Sequence, residues 1–184
     1  MIITKNYCPE RLMTVFFERC KNLNYTNNIS KDSIKYDWVV NENQGQFFYT
    51  FNTKKQKLIA MSGCHTFKDG MRLVFRAAQL PNEDSFKGLS KYHFNSIPWR
   101  EHIPLQINWG KSLDIHNFYI TTHTLTERHI GKTDKTAKSL LLLANYGIVS
   151  YLRTELVYNT YQTVWKLNEQ KYQDSKNGKI LSAI

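Results

Sequence analysis

The stretch from Arg72 to Trp109 constrains the fold most, because its residue pattern changes from strand to polar loop to helix. Residues 71–80, MRLVFRAAQL, alternate in apolar character and are rich in strand formers, which predicts a β-strand. Pro81 and the Asn, Asp and Ser residues behind it cannot continue that strand, and the chain is predicted to become helical from about Lys91. A helix that begins after a glycine-containing loop has backbone N–H groups without internal partners. The stretch therefore predicts an anion site that suits phosphate.

The elements on either side of this stretch predict a mixed α/β fold. The spacing of apolar residues predicts helices over 9–20, 30–38 and 135–146, the last closed by Gly147. Period-two alternation predicts strands over 46–51, 58–65, 117–123 and 148–152, and one or two strands over 155–167. Asp69-Gly70 predicts a tight turn into the strand 71–80. We therefore expect a mixed, mostly antiparallel sheet of six or seven strands flanked by helices.

Two prolines limit the helix that follows the polar loop. This helix is predicted to end near Ile97, because a proline inside a helix removes a hydrogen bond and clashes with the preceding turn. Pro98 and Pro104 then allow a second helical turn that begins at Ser96 and Pro98. The glycine in the preceding hairpin, Gly63, predicts a bulge.

Composition indicates one folded domain over residues 1–184. A chain of 184 residues can bury a core without disulfides, and its 41% hydrophobic and 14% aromatic content excludes a disordered chain. The polar segment 168–184 is expected to be a loosely held tail. Cys8, Cys20 and Cys64 lack the spacing of a disulfide framework or a zinc site, so we expect reduced, partly buried thiols.

The loop sequence Ser85–Ser90, SFKGLS, resembles the phosphate-binding loop of the GNAT superfamily of acyltransferases. That loop usually reads Gln or Arg, two residues, Gly, any residue, and Gly or Ala, so Gly88 matches whereas Ser85 departs. The order of the predicted elements also resembles that of the family. Residues 143–148, LANYGI, resemble the end of a family helix, although the family usually has Tyr where Leu143 stands. More loosely, the chain resembles short proteins of T-even-like phages that infect marine bacteria.

The resemblance implies an acyl-coenzyme A site, with acetyl-CoA or another acyl-CoA as the acyl donor. In the family the thioester arm pairs with the strand equivalent to 71–80, which assigns Ala78 and Leu80 to cofactor binding. The residues implied to hold the diphosphate are Phe86, Lys87, Gly88, Leu89 and Ser90. The alternative is an ordinary turn from strand to helix.

Three side chains are candidates for proton transfer in transfer of the acyl group to an amine. His65 and His123 stand at predicted strand ends, and histidine suits a general base because its ordinary pKa lies near neutrality. Tyr146 and Tyr151 lie near Leu143, and Tyr146 is the candidate that would protonate the leaving thiolate. Each of these side chains also has a structural interpretation as a packed residue.

The net charge of +10 suggests a polyanionic partner, because a large basic excess attracts nucleic acids and anionic cofactors. Arg72 and Arg76 are four residues apart on a predicted strand and would form a cationic pair on one face, to contact nucleic acid or an acidic substrate. An amine carried on aminoacyl-tRNA or on a modified DNA base is one predicted acceptor. A peptide amine or a small metabolite is another, and the charge would then serve solubility or the coenzyme phosphates.

Two functions therefore stay open from the sequence: an acyl-CoA-dependent N-acyltransferase, or a noncatalytic binding protein on the same fold. For the second, the phage resemblance implies a host-takeover or virion-associated factor. The chain has no apolar run of bilayer length, and its first residues lack the features of a signal peptide. We expect a cytoplasmic protein without a membrane partner, in the host cytoplasm if a phage encodes it.

Overall fold

A computed structural model of the chain describes residues 2–22, 38–78, 97–123, 135–157 and 160–176. Its strands are β1 (Ile2–Lys5), β2 (Gln46–Asn52), β3 (Lys57–Phe67), β4 (Gly70–Ala78), β5 (Phe118–His123), β6 (Val149–Val157) and β7 (Thr160–Leu167). Its α-helices are α1 (Glu10–Asn22), α2 (Ile103–Ser112), α3 (Lys135–Asn145) and α4 (Glu169–Lys176), and π-helical turns cover Trp38–Glu42 and Pro98–His102.

All seven strands belong to one sheet in the order β1-β2-β3-β4-β5-β7-β6. Neighbouring strands are antiparallel except β4 and β5, which are parallel. The predicted mixed, mostly antiparallel sheet is therefore confirmed, including the meander of β2, β3 and β4. β1 adds an edge strand that was not predicted.

The two faces of the sheet carry different cores. Because side chains alternate along a strand, Phe47 and Tyr49 of β2 face α1, whereas Phe48 between them faces the opposite side. The α1 side contains Phe16, Phe17, Val39, Phe47, Tyr49, Phe51 and Met61. The opposite side contains Trp99, Ile103, Ile107, Leu140, Leu143, Trp165 and Tyr172 from α2, α3, α4, the second π-helical turn and the strands.

The end of α3 agrees with the sequence. Gly147 has φ of +67°, which only glycine adopts without steric strain. The N–H of Ile148 donates to the carbonyl of Leu143, and the N–H of Gly147 donates to that of Ala144. This pair of bonds is a Schellman motif, and it satisfies carbonyls that the last helical turn leaves open.

The helix before β5 corrects the prediction that helical structure is limited to one turn after Ile97. The chain stays helical from Pro98 through Ser112, as a π-helical turn followed by α2. Pro98 is in the first turn of this helical segment, where its missing N–H has no helical acceptor to lose, and Pro104 is in the first turn of α2, where the chain changes from π-helical to α-helical. The residues before Ile97, including the predicted helix from about Lys91, lie outside the described residues.

The segment 168–184 also differs from the predicted tail. Residues Glu169–Lys176 form α4, and the N–H of Lys171 donates to the side chain of Asn168, which caps the helix. Tyr172 is fully buried, and Lys111 of α2 pairs with Glu169. One aromatic residue docks an otherwise polar helix, which explains why composition alone predicted a tail. Residues 177–184 lie outside the described residues.

Replacing Tyr172 with Phe is expected to lower the free energy of unfolding by about 2 kcal/mol, because the Tyr172 hydroxyl donates to the buried carbonyl of Trp99. Burial raises the pKa of Tyr172. Above the ordinary tyrosine pKa of about 10, the unfolded chain loses this proton while the folded chain keeps it, so stability falls as pH rises. Urea unfolding of both proteins checks this, and an equally steep alkaline decline in Y172F would contradict it.

A buried histidine joins the second π-helical turn to the sheet. His102 lies 2.7 Å from Thr50 through Nε2 and 2.7 Å from Ser62 through Nδ1. Burial lowers the pKa of His102 to about 3, so the ring is neutral at pH 7. A neutral imidazole has one N–H donor and one acceptor, so one hydroxyl accepts a hydrogen bond and the other donates one. Gln106 of α2 extends the network by donating to the Ser62 hydroxyl and the Gly63 carbonyl.

Two of the three cysteines are buried and free. Burial raises the pKa of Cys8 to about 11 and that of Cys64 to about 12, so both are protonated at neutral pH. A protonated thiol is a poor nucleophile and a poor metal ligand. The prediction of reduced thiols is confirmed for this pair, and the side chain of Cys20 lies outside the described residues.

Candidate active site

β4 and β5 stop pairing with each other after a short segment, and the region between them beyond that segment is called the cleft. They pair over only three residues of each strand, 71–73 and 118–120. Beyond these residues β4 continues beside β3 to Ala78, and β5 continues beside β7 to His123. The facing edges of the two strands no longer pair with each other there. Such edges can accept an extended ligand that adds main-chain hydrogen bonds like a strand.

A β-bulge in β4 lies where the separation begins. Val74 is opposite Gly63 and Ala77 is opposite Met61, so residues 75–76 of β4 together oppose the single residue Ser62 of β3. A bulge bends its strand and leaves one residue outside the regular ladder. The pairing of β4 with β5 ends at Leu73, and the bulge follows at residues 75–76. Gly63 therefore marks the predicted irregularity, although the extra residue belongs to β4.

Helix α2 supports the paired part of β4 and β5 from one face of the sheet. A Cβ atom at Gly110 would lie 2.6 Å from the Phe118 ring of β5 and 3.2 Å from the Met71 sulfur of β4. Real Cβ atoms do not approach a buried ring so closely, so only glycine fits this contact. The close approach holds both strands against one helix just before they separate.

On the other face, Arg72 connects three strands at the same level. Its Nε donates to Oγ1 of Thr121 on β5 at 2.7 Å, and its terminal NH2 group donates to Thr121 and, at 2.7 Å, to Oε1 of Gln162 on β7. The guanidinium also lies 5.8 Å from the ring centroid of Phe67, within cation–π range. Arg72 is only 4% exposed. It therefore lies in the interior beside the cleft, where its guanidinium is not accessible to nucleic acid or to an acidic substrate as predicted.

The bulge also affects the prediction for Arg76. That prediction placed Arg72 and Arg76 on one face because four residues make two periods of a regular strand. Between Val74 and Ala77 the strand has an extra residue, and Ala77 takes the next place opposite β3 after the bulge. The regular alternation is therefore interrupted, and the side chain of Arg76 lies outside the described residues.

His65 is placed as a packed residue. It is 1% exposed, its Nδ1 donates to the Thr66 carbonyl at 2.7 Å, and Trp38 meets its ring edge-on at 4.9 Å. Burial chiefly, and the charge of Arg72 in addition, lower the pKa of His65 to about 4. An imidazole with so low a pKa is a weak proton acceptor at pH 7. The geometry therefore favours a structural role for His65.

The other two candidates for proton transfer lie at element ends. His123 ends β5 at the open part of the cleft, where its backbone is paired with Gln162, and its side chain lies outside the described residues. Tyr146 follows α3 and is 51% exposed. Leu143, which stands in place of the family tyrosine, is fully buried in the core. The catalytic roles of His123 and Tyr146 stay predictions.

A cluster of charged residues covers β5 and β6 next to Arg72. Glu155 pairs with Lys68 and with Nε of Arg153, the latter at 2.7 Å. The Tyr119 hydroxyl donates to Asp69, and the guanidinium of Arg153 lies 5.9 Å from the Tyr119 ring centroid. The hydrogen bond from Arg153 and the neighbouring Lys68 hold the pKa of Glu155 below its usual range, despite some burial. Glu155 is therefore ionised and paired, which makes it a poor general base.

The predicted cofactor residues are only partly described. Ala78 ends β4, opposite Ala60 of β3 and past the bulge, and its side chain lies outside the described residues, so its assignment to cofactor binding stays a prediction. Leu80 and the predicted diphosphate-binding residues 86–90 lie outside the described residues. Their assignment stays a prediction. Within the part of the chain that the structure describes, no group of His, Cys, Asp or Glu side chains could hold a metal ion.

Thr121 and Gln162 belong to the site but were not predicted. Their partner Arg72 lies 49 and 90 residues away in sequence. A threonine in a strand is an ordinary strand former, and a glutamine has no chemical signature of its own. Only the order of β4, β5 and β7 in the sheet brings the three side chains together.

The fold matches solved acetyltransferases, although no family model and no curated protein matches the sequence. An acetyltransferase of the GNAT family from Staphylococcus aureus MU50 has a TM-score of 0.57 at 12% identity, over 91% of this chain and 99% of that one. The ribosomal-protein-S5-alanine acetyltransferase from Vibrio fischeri has a TM-score of 0.54 at 13% identity, over 91% and 93%. An aminoglycoside 6'-N-acetyltransferase complexed with coenzyme A has a TM-score of 0.52 at 10% identity, over 90% and 96%.

These likenesses establish the fold of the chain as that of GNAT N-acetyltransferases, which confirms the fold that the resemblance implied. At sequence identities of 10 to 13%, the likeness is one of backbone geometry and does not extend to the side chains. The looser resemblance to phage proteins is not supported by these comparisons. No helix among the described residues is long and apolar enough to cross a membrane.

Proposed function

We propose that this protein is an acyl-CoA-dependent N-acyltransferase that moves an acetyl or similar acyl group to a primary amine. The observation that carries the proposal is the cleft: a parallel strand pair that separates after three residues at a β-bulge. The neighbour complexed with coenzyme A has the same fold, which supports a coenzyme site on this scaffold.

The chemistry requires little of the protein beyond positioning and two proton transfers. The coenzyme supplies the activated acyl group as a thioester. In this proposal the backbone of β4 to Ala78, together with the following residue Leu80, binds the extended arm, and a backbone N–H at the bulge donates to the thioester carbonyl. His123 accepts the proton that the amine loses as its C–N bond forms. Tyr146 donates a proton to the thiolate released as the C–S bond breaks.

The diphosphate would bind to the backbone of the loop after β4, with Phe86, Lys87, Gly88, Leu89 and Ser90 as its residues. Open N–H groups at a helix start attract phosphate, and the Lys87 ammonium adds charge. We assign the role of general base to His123 and not to His65, because burial lowers the pKa of His65 to about 4.

Isothermal titration with acetyl-CoA is the first test. We expect one site with a Kd of about 10–100 µM, in the range of ordinary KM values. Titration with adenosine alone is the control, since it lacks the arm that the cleft is proposed to hold. Thiol release would then be measured with a polyamine, a peptide N-terminus and an aminoacyl-tRNA as acceptors. Absence of binding at millimolar acetyl-CoA would contradict the proposal.

A noncatalytic binding protein on the same fold is the second candidate, and Leu143 is the observation that favours it. This buried apolar side chain stands where the family usually has a tyrosine, so the leaving thiolate lacks its usual proton donor unless Tyr146 replaces it. Acetyl-CoA binding without thiol release for any acceptor would support this candidate. A tenfold or greater loss of turnover in Tyr146→Phe, with unchanged acetyl-CoA binding, would support the enzyme.

The acceptor could be carried on nucleic acid such as tRNA or modified DNA, as the net charge of +10 suggests. Arg72 does not support this reading, because its guanidinium is buried and hydrogen-bonded to two neighbouring strands. Surface lysines, including Lys54 and Lys55 at the β2–β3 turn, would have to supply the phosphate contacts.

A further inference from the structure

We propose that Arg72 is a positioning residue that holds β4, β5 and β7 at the separation that acyl-CoA binding requires. The inference rests on the proposed function for its ligand, and the contacts of Arg72 carry it. Arg72 is thereby given a structural role between strands, whereas the sequence had predicted that it contacts nucleic acid or an acidic substrate.

The position of Arg72 along the strands is the first argument. Arg72 is in the middle of the three paired residues of β4, and Thr121 is the first residue of β5 beyond the paired segment. The side chain therefore reaches forward and donates to β5 just past the last β4–β5 pair. These side-chain bonds take over where backbone pairing ends. They limit how far the two strands can part at the start of the cleft.

The chemistry of the guanidinium is the second argument. Its planar fork donates in fixed directions, so Nε and NH2 hold Thr121 and Gln162 at once. Contact with the Phe67 ring and 4% exposure keep the guanidinium in a low-dielectric setting, where charge-assisted hydrogen bonds are strong. A flexible residue in water could not fix a distance in this way.

The paired segment of β4 and β5 is also restrained from the opposite face of the sheet. There, α2 contacts Phe118 and Met71 so closely that Gly110 leaves no room for a Cβ atom. The paired segment of β4 and β5 is therefore restrained on both faces, by a helix on one and by Arg72 on the other. Beyond the paired residues, β4 and β5 can diverge because of the bulge in β4.

Gln162 links Arg72 to the proposed base. Its backbone is paired with His123 across β5 and β7, while its side chain accepts from Arg72. A shift of β7 relative to β4 would therefore move His123 relative to the bound arm. Arg72 would then influence both acyl-CoA binding and the alignment of the amine.

The test is a double-mutant cycle between Arg72→Met and Gln162→Met. Arg72→Met removes the whole bridge and should raise the KM for acetyl-CoA about tenfold, the effect of losing one charge-assisted hydrogen bond, whereas Gln162→Met removes only the bond to β7 and should raise the KM less. Because Gln162 contributes to the bridge only through its bond with Arg72, the double variant should be no worse than Arg72→Met alone. Arg153→Met is the matched control, since Arg153 belongs to the neighbouring charged cluster and pairs with Glu155 of its own strand without bridging β4 to β5, so the KM of this variant should not change.

A general loss of stability would lower the melting temperature without this pattern. Additive effects in the cycle, or an unchanged KM in both single variants, would overturn the proposal. If Arg72→Met does not fold, Thr121→Val replaces it in the cycle, because it removes the same acceptor at nearly constant volume.

Hydrogen exchange separates this inference from the proposed function. In Arg72→Met the amides of residues 71–73 and 118–120 should exchange faster, while those of the β2–β3 pair keep their rates. If the wild-type protein does not bind acetyl-CoA, the proposed function fails, and this result still tests whether Arg72 holds the strands. Unchanged exchange rates at these six positions would overturn the role assigned to Arg72.

Discussion

Acidification from about pH 7.5 to about pH 5 is expected to lower the free energy of unfolding by about 4 kcal/mol, because two buried histidines resist protonation. Burial lowers the pKa of His65 to about 4 and that of His102 to about 3. In the unfolded chain both have the ordinary pKa of about 6.5. Above this unfolded-state pKa, neither the folded nor the unfolded chain binds the proton, so the full free energy of unfolding is present. Below it the unfolded chain binds protons that the folded chain does not bind. At pH 5 this lowers the free energy of unfolding by about 2 kcal/mol for each histidine.

Urea unfolding at the two pH values measures this effect. His102→Leu should lose stability at neutral pH, because Thr50 and Ser62 lose their ring partners, but it should show about half of the acid dependence. Leu140→Ala is the control for destabilisation alone, since it truncates a buried side chain of α3 and changes no titrating group. It should lower stability equally at both pH values. A wild-type protein that is as stable at pH 5 as at neutral pH would contradict the burial of both rings.

The sheet could be predicted because its strands are signalled locally. Alternation in 46–51, 58–65 and 117–123, and turn residues such as Asp69-Gly70, depend on neighbours within a few positions. Each predicted segment became β2, β3 or β5 with ends within two residues. Gly147 likewise predicted the end of α3 because its role depends on its own backbone angle.

Other elements depend on tertiary contacts, which local patterns do not report. The helix through Pro98 and Pro104 persists because each proline falls in a first turn and Trp99 and Ile103 are buried against the sheet. The helix α4 is polar in composition, and the burial of Tyr172 and the pairing of Glu169 with Lys111 of α2 hold it in place. Burial against distant elements overrides local propensity in both cases.

The strand beside the candidate cleft could be predicted from the sequence, whereas the irregularity in that strand could not. The change from strand to polar loop indicated that 71–80 leads into a binding region, and the cleft lies beside that strand. The bulge at 75–76 could not be predicted, since it is a mismatch in register between β3 and β4 and not a residue pattern. The same mismatch removed the basis for pairing Arg72 with Arg76.

Deleting Phe75 is expected to abolish most acyl-CoA binding while the sheet stays folded. The deletion leaves Arg76 alone opposite Ser62 and keeps Ala77 opposite Met61, so the β3–β4 ladder becomes regular. A regular β4 has no bend to turn it away from β5 and no residue outside the ladder. Loss of two or three main-chain hydrogen bonds to the ligand corresponds to a rise in Kd of about a hundredfold. Titration with acetyl-CoA measures it.

Phe75→Ala is the matched control, because it removes the same side chain but keeps the residue count and therefore the bulge. If the bulge forms the cleft, the deletion should weaken acetyl-CoA binding far more than the substitution does. Equal losses in the two variants would mean that the side chain at position 75, and not the backbone irregularity, is what binding requires. Full binding by the deletion variant, with a folded sheet, would contradict the idea that the bulge opens the cleft.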